Sequence, residues 1–363
     1  MLLKLQPAIL LSLLAREATT LSLGKFMVSH STSFLTDHAR LDPFSPTPQP
    51  RSVAISTFTP VSNNCTTFTE IPYMPPATAA FESSKLTTAY GLPPNLFANL
   101  SYAVASAACT TDDHTTNGHI LFSPALGTTR HFYNLVAATL ASTTGAAVTT
   151  IDHPFDADVV ERPNGTLIHG IDIPDASIPL ALATRADDMR YVLSALSPPA
   201  ASCRATERLR RPLAVGHSLG GAAALLAGAR FAGAVNIDGS VVVGNASAFP
   251  VVERPVLFVA HEGKNLSTDA TWEGVWPRLQ GWKGLLELEG SQHYTFSDLP
   301  VLVEGMGLSE TELEGVLGTI AGGVAVESFV GVVKAFWEMV RGKLDGEGFK
   351  EAVEEYSAIE KIL

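Results

Sequence analysis

The stretch Arg211-Pro212-Leu213-Ala214-Val215-Gly216-His217-Ser218-Leu219-Gly220-Gly221, running into the alanine-rich residues 222–232, constrains this chain more than any other. It predicts a short buried strand, a tight turn and a helix, with Ser218 at the apex of the turn. Such a reversal holds the serine backbone in a sterically costly conformation and lifts its hydroxyl above the edge of a sheet. Glycine is needed two positions before and two after, because a Cβ at either would collide with the neighbouring strand or helix. The Leu219 N–H then lies at a helix N-terminus, facing the place where an oxyanion would form. With 29 glycines in 363 residues, G-x-S-x-G alone arises readily by chance. The strand before it and the small-residue helix after it are what give it weight.

Composition narrows the setting. Hydrophobic residues make up 46% of the chain, ample for a large core, and the formal net charge is −12. That charge disfavours nucleic acid as a partner, since phosphate neutralisation needs a basic surface. Residues 1–23 carry Lys4 and then an apolar run over 7–15, too short to span a bilayer, which predicts a secretory signal segment. Five Asn-x-Ser/Thr sequons, at Asn64, Asn99, Asn164, Asn245 and Asn265, predict a secreted glycoprotein. Of the three cysteines, Cys65 and Cys109 flank one N-terminal segment and are the expected pair, leaving Cys203 over. No Cys/His spacing resembles a zinc site, and neither metal nor cofactor is expected.

Taken in order, residues 25–61 hold β-rich pieces separated by Asp42-Pro43-Phe44-Ser45-Pro46-Thr47-Pro48-Gln49-Pro50, which predicts an opening antiparallel hairpin. Residues 63–118 are less legible; short helices are expected over 76–83 and 94–108. From residue 119 the pattern turns regular. Strands are expected over His119–Ser123, 146–151, 213–215, Gly233–Ile237, 255–260 and 282–288. Helices are expected over 129–141, Ile178–Leu196 and 311–343, besides the one after Ser218. Alternating strands and helices impose right-handed crossovers and a mostly parallel sheet covered on both faces. The expected fold is α/β, of α/β-hydrolase type, with 24–363 as one domain. Within it, 24–118 supply N-terminal strands and a cap-like segment, 119–300 the catalytic core and 301–363 C-terminal helices.

A serine hydroxyl is a weak nucleophile; it needs a base, and the base needs an orienting carboxylate. In this fold the chain order is serine, acid, histidine. Downstream of Ser218 the histidines are His261 and His293, and His293 follows the last strand, where a loop can return an imidazole over the turn. His217 sits inside the turn and reads as structural. Two acids compete for the third place: Asp238 ends one strand and Glu262 the next, and spacing does not choose between them. The second oxyanion donor is expected in the loop Ser123-Pro124-Ala125-Leu126-Gly127-Thr128-Thr129-Arg130, with the backbone N–H groups of Leu126 and Leu219 as the pair.

Several motifs together resemble the platelet-activating factor acetylhydrolase family, plasma/type II branch, and in particular its secreted fungal and bacterial relatives. They are Gly216-His217-Ser218-Leu219-Gly220-Gly221, Val235-Asn236-Ile237-Asp238-Gly239 and Gly290-Ser291-Gln292-His293 with Phe296-Ser297-Asp298. The segments 41–51, 73–77, Ile151-Asp152-His153-Pro154-Phe155-Asp156 and 276–283 look like the same relatives, so the likeness covers about residues 25–340. The resemblance implies that the acid follows the strand after the turn, which favours Asp238 over Glu262. It also implies calcium-independent hydrolysis of a small-molecule ester or lipid, with transient contact to a lipid surface. The family often carries His-Gly ahead of the Leu-Gly of the oxyanion loop, where this chain has Pro124-Ala125. An acyltransferase or thioesterase with the same triad, and a non-catalytic ligand-binding homologue, are the rival expectations.

Overall fold

The strands expected from residue 119 onward line up side by side. In the computed structural model, which describes residues 8–10, 20–22, 24–61, 65–106, 109, 116–196, 211–244, 247, 249–308 and 313–363, nine of the described strands share one sheet. They are β1 (Met27–Leu41), β2 (Pro50–Val61), β3 (His119–Ser123), β4 (Ala147–Asp152), β5 (Leu213–His217), β6 (Gly233–Ile237), β7 (Val256–His261), β8 (Lys283–Leu288) and β9 (Ile359–Lys361). Their order across the sheet is β9-β8-β7-β6-β5-β3-β4-β2-β1. Strands β3 to β8 run parallel, while β1, β2 and β9 join antiparallel at the two edges. The expected N-terminal hairpin is the β1–β2 pair, in register from Met27↔Val61 to Asp37↔Arg51.

The apolar runs explain why these segments are strands. A central parallel strand is covered on both faces and must be apolar on both. Ile120 and Phe122 of β3 enter the core beneath one face, and Leu121 enters the core beneath the other. On the first face lie helices α2 (Asn134–Thr144) and, near the C-terminus, Gly322–Val340. On the second lie α3 (Ile178–Leu196) and α4 (Leu219–Leu226). Within the parallel part of the sheet the chain starts at β3, passes to β4 on one side and returns to β5 on the other. The carboxyl ends of β3 and β5 therefore flank the point where strand order reverses, the place where open α/β sheets form their crevice.

Three expectations need correction. The described part of 94–108, residues 94–106, is not a helix: after a turn, Ser101–Ala105 is a strand, antiparallel to Phe68–Pro72. Tyr102 and Val104 are buried, with the half-buried Ser101 and Ala103 beside them, and burial of that face outweighs the helical leaning of the alanines. The helix expected over 311–343 is broken. A turn of helix at Glu314–Leu317 stops at Gly318, whose φ is 76°, and Gly322–Val340 starts afresh. The helix after Ser218 ends at Leu226 rather than continuing through 232. Beyond the expected C-terminal helices, the chain adds β9.

The helix expected at 76–83 runs on to Tyr90 and stops at Gly91 in the left-handed region. Glu314–Val340 has the length and hydropathy of a membrane span, yet Phe329, Phe336 and Trp337 within it are buried in the core. Cys65 and Cys109 form a disulfide. Cys203, Asn64 and Asn245 lie outside the described residues, as does the expected signal segment apart from the paired strands Ala8–Leu10 and Thr20–Ser22.

Candidate active site

Ser218 links β5 to α4 with φ 57° and ψ −128°, a conformation that L-residues adopt only under constraint. The constraint comes from close packing on both sides. A Cβ on Gly216 would land on the Gly220 carbonyl, and one on Gly220 would land on the carbonyl of Ser123 at the end of β3. Ser218 N–H donates to the Ile237 carbonyl at 2.8 Å, tying the turn to β6.

The residue directly after β6 is Asp238, another non-glycine residue with positive φ, at 55°. Asn236 holds that turn, donating to the Gly239 carbonyl at 2.8 Å and accepting from the Gly239 N–H at 2.9 Å. The Asp238 carboxylate is fully buried. One oxygen accepts from Nδ1 of His293. The other accepts from Nδ1 of His261 at 2.7 Å and lies 3.4 Å from Nζ of Lys264, which also donates to the Asp238 carbonyl at 2.8 Å. Burial alone would raise this carboxyl; the hydrogen bonds from His261 and His293, with the charge of Lys264, outweigh it and hold the group well below the ordinary carboxylate range.

His293 opens a single turn of 3₁₀ helix, His293–Phe296, closed by a reciprocal bond between Gln292 and Thr295. Its Nε2 stands 3.0 Å from the Ser218 Oγ. Asp298 at the far end of this loop anchors it, accepting from the N–H groups of Leu135 and Val136 at 2.8 and 3.0 Å and from the Tyr73 hydroxyl at 2.7 Å. Burial pushes the Asp298 carboxyl up to about 7. Gly290 precedes the loop, and its carbonyl accepts from Thr319 and Ile320 in the helix break.

Ser218, Asp238 and His293 are thus brought together, and Glu262 is not. Glu262 is exposed and accepts from the Gly290 N–H at 2.8 Å, at the root of the histidine loop. His217 is buried beneath the site, its ring centroid 4.7 Å from that of His293. Burial, then the charge of His293, lowers its pKa and keeps it neutral. Its Nδ1 accepts from the Tyr133 hydroxyl at 2.8 Å, and that hydroxyl in turn accepts from the Ala125 N–H at 3.2 Å. Ligand-type atoms of His217, Asp238 and His293 lie within 4.8 Å of one another. A hydrogen bond joins Asp238 to His293 within this group, and His217 Nδ1 is taken by Tyr133.

In the loop after β3, Gly127 N–H donates to the Asp156 carbonyl at 3.1 Å. Among the described residues, the N–H groups of Leu126 and Leu219 meet no acceptor. Sequence reading missed His261 and Lys264. Their signal is His261-Glu262-Gly263-Lys264 at the end of β7, the strand hydrogen-bonded beside the one that carries Asp238.

No family model matches the sequence. A curated relative, a probable 1-alkyl-2-acetylglycerophosphocholine esterase of Arthroderma benhamiae, is 28% identical over 338 residues, covering 86% of this chain and 84% of the relative. The resemblance read from the motifs is borne out by that match. Among solved structures, a ferulic acid esterase from Streptomyces cinnamoneus superposes with a TM-score of 0.74 at 24% identity, over 93% of this chain and 97% of the other. That likeness bears out the α/β-hydrolase fold.

Proposed function

We propose that this carboxylic-ester hydrolase works through a Ser-His-Asp triad and an acyl-enzyme, on a short-acyl ester or phospholipid. The observation that carries the reading is the 3.0 Å approach of His293 Nε2 to Ser218 Oγ, with Nδ1 of the same ring on Asp238. The Ser218 oxygen attacks the ester carbonyl while its proton passes to His293 Nε2. Asp238 fixes the ring tautomer and stabilises the imidazolium. The N–H groups of Leu126 and Leu219 receive the oxyanion. His293 then gives its proton to the departing alcohol, and water hydrolyses the acyl-enzyme by the same relay. The name of the fungal relative supports an acetylated glycerophospholipid as the substrate class.

The same reading takes the protein to be secreted and glycosylated. The Cys65–Cys109 disulfide and the exposure of Asn99 and Asn164 support it. Labelling with a serine-reactive fluorophosphonate tests the mechanism: wild type should label and Ser218→Ala should not. Equal labelling of the two would refute it. A series of p-nitrophenyl esters, run with and without competing alcohols, reads out acyl length and separates hydrolysis from acyl transfer.

A further inference from the structure

We infer that Arg185 is the residue that aims the Leu126 amide at the reaction centre, an inference that rests on the oxyanion pair proposed above. Arg185 lies in the middle of α3 and is 1% exposed, beneath the loop that follows β3. Its guanidinium donates to two successive carbonyls of that loop, Pro124 through Nη1 and Ala125 through Nη2, the second at 3.1 Å. Its remaining hydrogen bonds go to the Asp156 carboxylate, through Nε at 2.6 Å and through Nη2, and to the Ser123 hydroxyl at 3.3 Å.

The consequence follows from peptide geometry. In a trans peptide the C=O and the N–H point in opposite directions. Drawing the Ala125 carbonyl down onto Arg185 turns the Leu126 N–H away from α3. Drawing down the Pro124 carbonyl does the same to the Ala125 N–H, which meets the Tyr133 hydroxyl, itself bonded to His217 next to Ser218. Gly220 of the serine turn packs against the carbonyls of Ser123 and Pro124, so the loop and the turn are in contact. A fixed cation on the carbonyl side also polarises the peptide and strengthens its N–H as a donor.

The motif Ile151-Asp152-His153-Pro154-Phe155-Asp156, which the triad leaves unused, finds its place here. Phe155 has φ 66°, and the turn it makes sets Asp156 against Arg185 while the Asp156 carbonyl takes the Gly127 N–H. His153 joins Ser123 Oγ at 2.9 Å to Asp188 at 2.9 Å, and Asp188 pairs with Arg51 at 2.7 Å. This second Ser-His-Asp array is no second nucleophile, because Ser123, His153 and Asp188 are all buried out of reach of substrate. It braces the end of β3 behind the loop. Arg185 touches neither substrate nor reacting atoms; it is a positioning residue.

Arg185→Lys keeps the charge but loses the fork that holds two carbonyls and a carboxylate together. Asp156→Asn, a milder change, serves if the first variant fails to fold. For each variant, kcat and KM on p-nitrophenyl acetate are measured per site titrated with fluorophosphonate, beside the affinity for a trifluoromethyl ketone and for a non-hydrolysable ether analogue. The ketone forms an oxyanion on Ser218 and the ether does not. The expected result is a roughly 10- to 100-fold fall in kcat per titrated site, with KM within about twofold. Ketone affinity should fall in step and ether affinity should hold. A folded Arg185→Lys protein with wild-type kcat, or with lowered kcat but undiminished ketone affinity, overturns the inference. Wild type that neither hydrolyses esters nor labels at Ser218 overturns the triad itself, a separate failure.

Discussion

At the scale of single residues, the site is built around a carboxylate shared by two imidazoles and a lysine. Asp238 receives His293 on one oxygen and His261 on the other, with Lys264 alongside, so three side chains offset its charge. Asp238→Asn should lower kcat by about 10⁴ by leaving His293 in the wrong tautomer. Glu262→Gln should change it only a few-fold, since Glu262 meets the histidine loop through one backbone N–H. Steady-state kinetics on the two purified variants decide, and the reverse ranking would move the acid to Glu262. Ser218 and His293 were legible because a turn motif and a chain order point at them directly. Asp238 and Glu262 end adjacent strands, so spacing left them level and only the resemblance separated them. His261 and Arg185 were illegible for a different reason. Each acts through side-chain reach across elements distant in sequence, such as the 60-residue separation between Arg185 and Ala125, and no local pattern encodes that.

At the scale of elements, the helix Pro76–Tyr90 (α1) carries an unusual burden. Glu82 in it is fully buried, and neither carboxyl oxygen has a partner among the described residues. Burial, then the charge of Asp158, raises its pKa to about 8 against the pull of Lys85. The folded protein therefore keeps a proton that the unfolded chain gives up near its ordinary value of 4.5. Stability from this group is complete below the unfolded value, falls as pH rises toward about 8, and is flat beyond. Glu82→Gln should remove that slope and raise stability above pH 8 by an amount on the order of a few kcal/mol. Thermal unfolding of wild type and variant from pH 5 to 9 tests it, and parallel profiles would sink it. Asp298 adds a slope of the same sign to both proteins, so the comparison cancels it. The start of α1 was readable from Pro76, but its length was not, because its polar residues Thr78, Glu82 and Ser83 hide a buried face from any apolar count. Residues 94–108 failed in the opposite sense: alanines suggested helix where a strand pair needed an alternating face. The helix over 311–343 was broken by two close approaches, Gly318 against Gly290 and Gly322 against Pro300, which hydrophobic periodicity does not register.

For the molecule as a whole, the parallel order of β3 to β8 was legible because apolar runs spaced by helices admit few topologies. The antiparallel edge at the C-terminus was not, since Ile359-Glu360-Lys361 is too short to show a period. That edge nevertheless bears on the chemistry. Strand β8 leads into the histidine loop, and its outer side is covered by β9, which pairs Leu286↔Lys361, Glu287↔Glu360 and Leu288↔Ile359. Flanking bonds extend the cover: Leu285 N–H donates to Leu363, Ile362 N–H to Leu285, and Glu289 N–H to Ala358. Removing residues 358–363 would leave β8 as a bare edge, its backbone groups open to water or to another chain. His293 begins five residues beyond Leu288, so loosening β8 loosens His293 while the Ser218 turn, three strands inward, keeps its packing. The truncated protein should therefore melt earlier and scatter light at lower concentration, while hydrolysing p-nitrophenyl acetate with reduced kcat. Under the proposed triad, raising the concentration of a small buffer base should partly restore that rate, because Ser218 is intact and only His293 has drifted. A truncated protein as stable and as active as the full chain would show that the sheet holds its histidine loop without the terminal strand.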